Sequence, residues 1–162
     1  MEENVSEDCE KKIRIMRSLP FFSPFTDKEL YVILQTSVWL KKNSGDIVVH
    51  EGDAGRTFFV ILKGSVCIQR HTGRANLKKP ILCLRKGQCF GEVAVVTGQP
   101  RTADAVAEDE TFILKMDADV LDKETDSLEL RSIQLKFYKI FSSILASRLV
   151  LTDDLLIKAS MY

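Results

Sequence analysis

Glu92 and Arg101 are the side chains whose surroundings in this sequence suggest chemistry. They lie in the stretch 90–107, FGEVAVVTGQPRTADAVA, where Gly91 and Glu92 open the apolar run Val93-Ala94-Val95-Val96. A turn at Thr97-Gly98-Gln99-Pro100 then delivers Arg101-Thr102-Ala103. A glycine lets backbone come close to a ligand, and free N–H groups at the start of a short helix favour an anion. An arginine forks two N–H donors onto a phosphate. A carboxylate repels a phosphate but accepts a hydrogen bond from a ribose hydroxyl. Together these groups suit a nucleotide that bears a single negative charge.

Such a site needs a scaffold, and the chain of 162 residues is long enough for one domain with a sizeable core. Basic and acidic side chains number 23 each, so formal charge is zero, which argues against a general attraction to nucleic acid or to a membrane surface. No apolar run approaches the roughly 20 residues that span a bilayer. The start, MEENVSEDCE, is acidic and polar, the reverse of a secretory signal. The expected location is the cytoplasm. The four cysteines, Cys9, Cys67, Cys83 and Cys89, form no Cys-x-x-Cys pair and lack metal-ligand spacing. Cys67 and Cys83 lie in apolar strand-like runs and are read as small buried hydrophobes rather than as a disulfide.

Taken in order, residues 1–10 show no apolar period and are expected to be mobile. Residues 11–38 form a helical segment. Ile13, Met16 and Leu19 recur at helical spacing, Pro20-Phe21-Phe22-Ser23-Pro24-Phe25 interrupts it, and Thr26 with Glu29 predicts a capping box for a second helix. From residue 39 to 116 short β-branched and aromatic runs alternate with turn clusters, which predicts an all-β barrel or sandwich. Residues 71–80 read as an exposed basic loop between strands at 66–70 and 81–84. Residues 117–162 are helical, and from about 127 to 158 no proline or glycine breaks the pattern. That helix would be about 45 Å long at 1.5 Å per residue, more than a small barrel covers, so its distal half is expected to meet a second subunit.

Phe90-Gly91-Glu92-Val93-Ala94 followed by Pro100-Arg101-Thr102-Ala103 resembles the phosphate-binding cassette of cyclic nucleotide-binding domains. Gly45-Asp46-Ile47, Glu51-Gly52-Asp53, Phe58-Phe59-Val60-Ile61 and Gly64-Ser65-Val66 resemble the first half of that family's barrel, in the right order. The resemblance implies a mainly β fold, a β-roll or jelly-roll barrel with N-terminal helices and a long C-terminal helix, and a cassette over 90–103. It implies cAMP or cGMP as ligand, with cAMP the preferred reading, and no separate cofactor or metal. Arg101 would hold the cyclic phosphate and Glu92 the ribose 2′-hydroxyl. Backbone N–H groups around Gly91, Glu92, Val93 and Ala94 would complete the cradle, with the backbone of Ala103 close to the phosphate. Thr102 would meet the base. Phe137, Tyr138 and Phe141 of the long helix are candidates for a lid over the base, with core packing the alternative for each. Asp104 departs from the family, which usually has threonine or serine there, and is expected to face away from Ala103 on an alternating strand.

The implied role is a sensor that relays nucleotide binding to an effector protein, with a possible homodimer through the long helix. Three other readings compete. A metal-dependent jelly-roll enzyme would need clustered histidines, and His50 and His71 fall in different turn regions. No nucleophile with a histidine base appears in a motif, so no catalysis is expected. A DNA-binding regulator would need a helix-turn-helix after the long helix, whereas the residues after Asp126 read as one helix. A barrel that binds protein without nucleotide would be expected had Glu92 or Arg101 been replaced.

Overall fold

The strand-like runs between residues 37 and 117 pair into two antiparallel sheets of four strands each. The computed structural model describes residues 2–73 and 77–161. Among these, β1 (Ser37–Lys42), β8 (Thr111–Asp117), β3 (Thr57–Lys63) and β6 (Cys89–Phe90) form one sheet in that order. The other consists of β2 (Ile47–Val49), β7 (Asp104–Ala107), β4 (Ser65–His71) and β5 (Lys78–Arg85), again in that order. The roll expected from the sequence is the fold observed.

Strand β3 is buried along almost its whole length because both of its faces are covered. Side chains alternate across a strand, so Phe59 and Ile61 join Val66, Leu84, Phe90, Ala105 and Ile113 between the sheets. Phe58, Val60 and Leu62 point the other way, into a second core built under the helices. That layer comprises α1 (Glu2–Arg17), a short 3₁₀ turn at Pro20–Phe22, α2 (Asp27–Gln35), α4 (Asp119–Asp122) and α5 (Leu128–Ser160). A further short helix, α3 (Glu92–Thr97), belongs to the cassette. No helix among the described residues is long and apolar enough to cross a membrane.

Three expectations need correction. Helix α1 begins at Glu2, so the segment expected to be mobile is helical; Met1 lies outside the described residues. The hairpin strands are longer than 66–70 and 81–84 because β5 carries Pro80 on a sheet edge, where a missing N–H costs no ladder bond. The register shifts between Ile68 and Gln69 opposite it. The tip of the expected basic loop, residues 74–76, lies outside the described residues. Cys67 and Cys83 face each other across β4 and β5 and are joined as a disulfide, with Cys83 exposed rather than buried.

Helix α5 is fixed to the barrel by aromatic contacts. Phe58 meets Phe137 and Phe141 edge-on at centroid separations of 5.2 and 4.9 Å, and Phe25 lies 4.9 Å from Phe137. A buried polar cluster adds direction to this apolar contact. The capping box of α2 forms as expected, with the Thr26 N–H donating to Glu29 Oε2 at 2.7 Å. The same carboxylate accepts from Ser132 Oγ and Lys136 Nζ of α5, each at 2.6 Å. Burial alone would raise the Glu29 carboxyl, but these donors hold it at about 2 instead of 4.5.

A carboxyl depressed in the folded state stabilises the protein above its unfolded value and loses that contribution as pH falls. Urea unfolding of wild type and Glu29→Gln should therefore differ by about 3 kcal/mol near neutral pH. The difference should shrink as pH drops below about 4.5 towards 2. A pH-independent difference would rule out the ionised carboxylate as its source.

Candidate functional site

Arg101 is placed by backbone before its side chain makes any contact. Its N–H donates to the Asp53 carbonyl and its own carbonyl accepts from the Gly52 N–H, both at 2.8 Å. The turn after β2 thus clips the residue at both ends of its peptide unit. The guanidinium then runs inward and is almost completely buried. Nη2 donates to the Thr57 carbonyl at 2.6 Å and to Thr57 Oγ1 at 2.8 Å, and Nη1 donates to the Gly91 carbonyl at 3.1 Å. The ring of Phe59 lies 5.6 Å from its central carbon, a distance that suits a cation over an aromatic face. Burial disfavours the charged form and lowers the guanidinium pKa, against the opposing pull of Asp53 and Glu92.

Two glycines make room for this arrangement. Gly91 has φ +86°, and a Cβ there would stand 2.8 Å from Arg101 Nη1 and 3.0 Å from the Thr57 carbonyl. A Cβ at Gly55 would stand 2.6 Å from Ala94 Cβ and 3.0 Å from Arg101 Nε. Gly55 falls in the turn between β2 and β3. Its role is close approach to the cassette, which only the fold reveals.

Glu92 opens helix α3, directly after Gly91, and its side chain has no solvent exposure. Burial raises its carboxyl pKa; Arg148 and, more weakly, Arg101 oppose the rise. The ion pair with Arg148 is direct, from guanidinium Nη1 to Glu92 Oε1, and Arg148 Nη2 also donates to the Cys89 carbonyl at 2.7 Å. Arg148 sits well along α5, far from the cassette in sequence, and no motif marks it. A basic residue on the inner face of a long helix is the only signal it leaves.

Gly91, Glu92, Val93, Ala94, Arg101, Thr102 and Ala103, the seven residues singled out from sequence, all line one cavity of about 80 Å³. Val49, Ile68, Phe90 and Ala105 supply its apolar walls and Arg148 closes it from α5. Thr102 is exposed at the rim. Two buried polar atoms here lack a protein partner, Glu92 Oε2 and Arg101 Nε, one an acceptor and the other a donor. The first N–H groups of α3 likewise have no carbonyl within their own helix. The cavity therefore offers anion-binding donors and a hydroxyl acceptor side by side.

The three lid candidates lie elsewhere. Phe137 and Phe141 are buried in the aromatic core against Phe58, so their rings serve packing. The Tyr138 hydroxyl donates to Asp122 at 3.0 Å, and none of the three lines the cavity. Asp104 is buried, accepts from the Glu51 N–H at 2.7 Å and pairs with Lys78. Burial would raise its carboxyl, but Lys78 and the Glu51 N–H outweigh that and lower it. Its charge is neutralised on the far side of the strand from Ala103 and does not line the cavity.

The pattern of the cyclic nucleotide-binding domain matches residues 39–127, more than half of the chain. Human cGMP-dependent protein kinase 2 is 29% identical over 110 residues, 68% of this chain and 14% of the kinase. The cGMP-dependent protein kinase of Toxoplasma gondii is 30% identical over 146 residues, 85% of this chain and again 14% of the kinase. The chain thus spans a small fraction of these relatives. Among solved structures, a cyclic nucleotide-binding domain from Methylobacillus flagellatus superposes with a TM-score of 0.77 at 20% identity, covering 94% of this chain and 84% of that one. The catabolite activator protein of Thermus thermophilus gives 0.69 at 25% identity, covering 87% and 63%. With the cassette, the two-sheet roll and the sequence match in agreement, the chain belongs to the cyclic nucleotide-binding domain family.

Proposed function

We propose that this domain binds a cyclic purine mononucleotide, cAMP or cGMP, in the Glu92–Arg101 cavity and passes its occupancy to α5. The observation that carries this reading is the pair of unpartnered buried atoms, Glu92 Oε2 and Arg101 Nε, on residues lining one cavity with the α3 N–H groups. The ribose 2′-hydroxyl donates to Glu92, and Arg101 with the α3 N–H groups takes the phosphate. The backbone of Ala103 lies beside the phosphate, and Thr102, at the rim, meets the base. One threonine hydroxyl adds a bond without rejecting the other purine, so discrimination between the two is modest. Similarity to cGMP-dependent protein kinases supports the ligand class.

A cavity of about 80 Å³ is too small for a nucleotide, since pockets for ligands of that size occupy about 300 Å³ or more. A bound nucleotide therefore extends past this cavity, and Arg148 is the part of its boundary that belongs to a separate element. Movement of Arg148 transmits occupancy to α5, whose surface contacts an effector protein. The role is regulatory, not catalytic. Exposed Leu149, Leu155, Leu156 and Ile157 near the end of α5 support pairing with a second copy.

Calorimetry with cAMP and with cGMP tests the site. Arg101→Ala should weaken binding by about 2–5 kcal/mol, because a buried phosphate loses its charged partner. Equal affinity of wild type and variant would refute the assignment. Arg148→Ala tests the relay: nucleotide should alter amide hydrogen exchange along residues 128–160 in wild type, and that response should be lost in the variant. A retained response would exclude Arg148 as the link. For self-association, light scattering after size exclusion should give a dimer mass for wild type and a monomer mass for Leu149→Glu/Leu156→Glu. A monomeric wild type would eliminate the second copy.

A further inference from the structure

The cysteines of the outer hairpin have no part in the nucleotide site, yet the fold places two of them together. Strand pairing sets Cys67 of β4 directly opposite Cys83 of β5, with a Cα–Cα separation of 4.1 Å. Direct opposition across the two strands brings the sulfurs within bonding reach, and the two are joined here. Their accessibilities are unequal. Cys83 is exposed on an edge strand and Cys67 is buried, 4% exposed. The remaining cysteines, Cys9 and Cys89, are free. Glu108 Oε1 lies 3.0 Å from Cys67 Sγ and 3.8 Å from Cys83 Sγ, so a carboxylate faces the pair.

We infer that Cys67 and Cys83 form a reversible thiol–disulfide exchange site, which small-molecule disulfides close and small-molecule thiols reopen. The exposed Cys83 thiolate attacks one sulfur of a small disulfide, forming a mixed disulfide and releasing one thiolate. The Cys67 thiolate then attacks Cys83 Sγ, forming the protein disulfide and expelling the second thiolate. The protein gives up two electrons and two protons, and the small disulfide is reduced to two thiols. Reduction reverses the same steps.

The crosslink acts on an edge strand with a defined connection to the cassette. Strand β5 is hydrogen-bonded only to β4 within its sheet, and its first residue, Lys78, pairs with Asp104 next to Ala103. β4 and β7 also supply Ile68 and Ala105 to the cavity wall. Closing the disulfide therefore fixes the strand that carries the counter-ion of Asp104. The inference stands whether or not the cavity takes a nucleotide.

The full chain, reduced and then treated with oxidised glutathione, provides the test. The wild-type mass should fall by about 2 Da, the loss of two hydrogens. A digest should yield a peptide crosslinked between Cys67 and Cys83, and dithiothreitol should reverse both changes. Amide exchange over residues 78–85 should slow severalfold on oxidation in wild type. Cys83→Ser, a substitution at an exposed position, should show neither crosslink nor slowing. Two free thiols persisting at Cys67 and Cys83 after oxidation would overturn the inference. So would a crosslink that leaves exchange over 78–85 unchanged.

Discussion

A carboxylate with no contact to solvent stays ionised only when donors or a cation offset its burial, and Glu92 is such a carboxylate. Its partner, Arg148, comes from the far part of α5, so one charge requirement joins the cassette to an element distant in sequence. An uncompensated ion at this depth would cost several kcal/mol. The position of α5 over the barrel and the ionisation of Glu92 are therefore mutually dependent. Arg101 meets the same requirement differently, by spending its donors on the carbonyls of Thr57 and Gly91. One buried charge is answered by an ion and the other by backbone dipoles.

Helix α5 is held at two levels that differ in kind. Near its start, Phe137 and Phe141 interlock with Phe58 and Phe25, while Ser132 and Lys136 reach Glu29. These contacts involve α2 and β3 and do not touch the cassette cavity. Farther along, contact with the cassette runs through Arg148. The proximal part is anchored in the aromatic core, and the part around Arg148 is joined to the cassette by an ion pair and one hydrogen bond to a backbone carbonyl.

The cassette was legible in the sequence because it is local: Gly91 to Ala103 holds both the turn and the charged side chains within one short stretch. The all-β architecture was legible from short β-branched and aromatic runs between turn clusters, and the roll from the family resemblance. The partners of the site residues were not. Gly55 belongs to the turn before β3, Thr57 to the start of that strand and Arg148 to a helix; each reaches the site only through tertiary packing. The aromatic candidates on α5 lie away from the cavity in this structure, because helical spacing assigns residues to a face without saying which neighbour that face meets. Phe137 and Phe141 satisfy the core, and the arginine beyond them reaches the cavity. The cysteines were misread for a related reason: strand register, which sets Cys67 against Cys83, depends on the bulge opposite Pro80 and has no local signature.

The order of strands has a kinetic consequence. β1 pairs with β8 along its whole length, Ser37 with Met116 through Lys42 with Thr111, so one sheet closes only when the first and last strands of the roll meet. The cassette bridges the sheets, leaving the first through β6 and entering the second through β7. Such long-range pairing slows folding, since chain entropy is lost before the distant contacts form. Neither sheet alone can assemble the cavity. The cavity therefore needs both sheets in place, and any molecule that fits it recognises the closed roll as a whole.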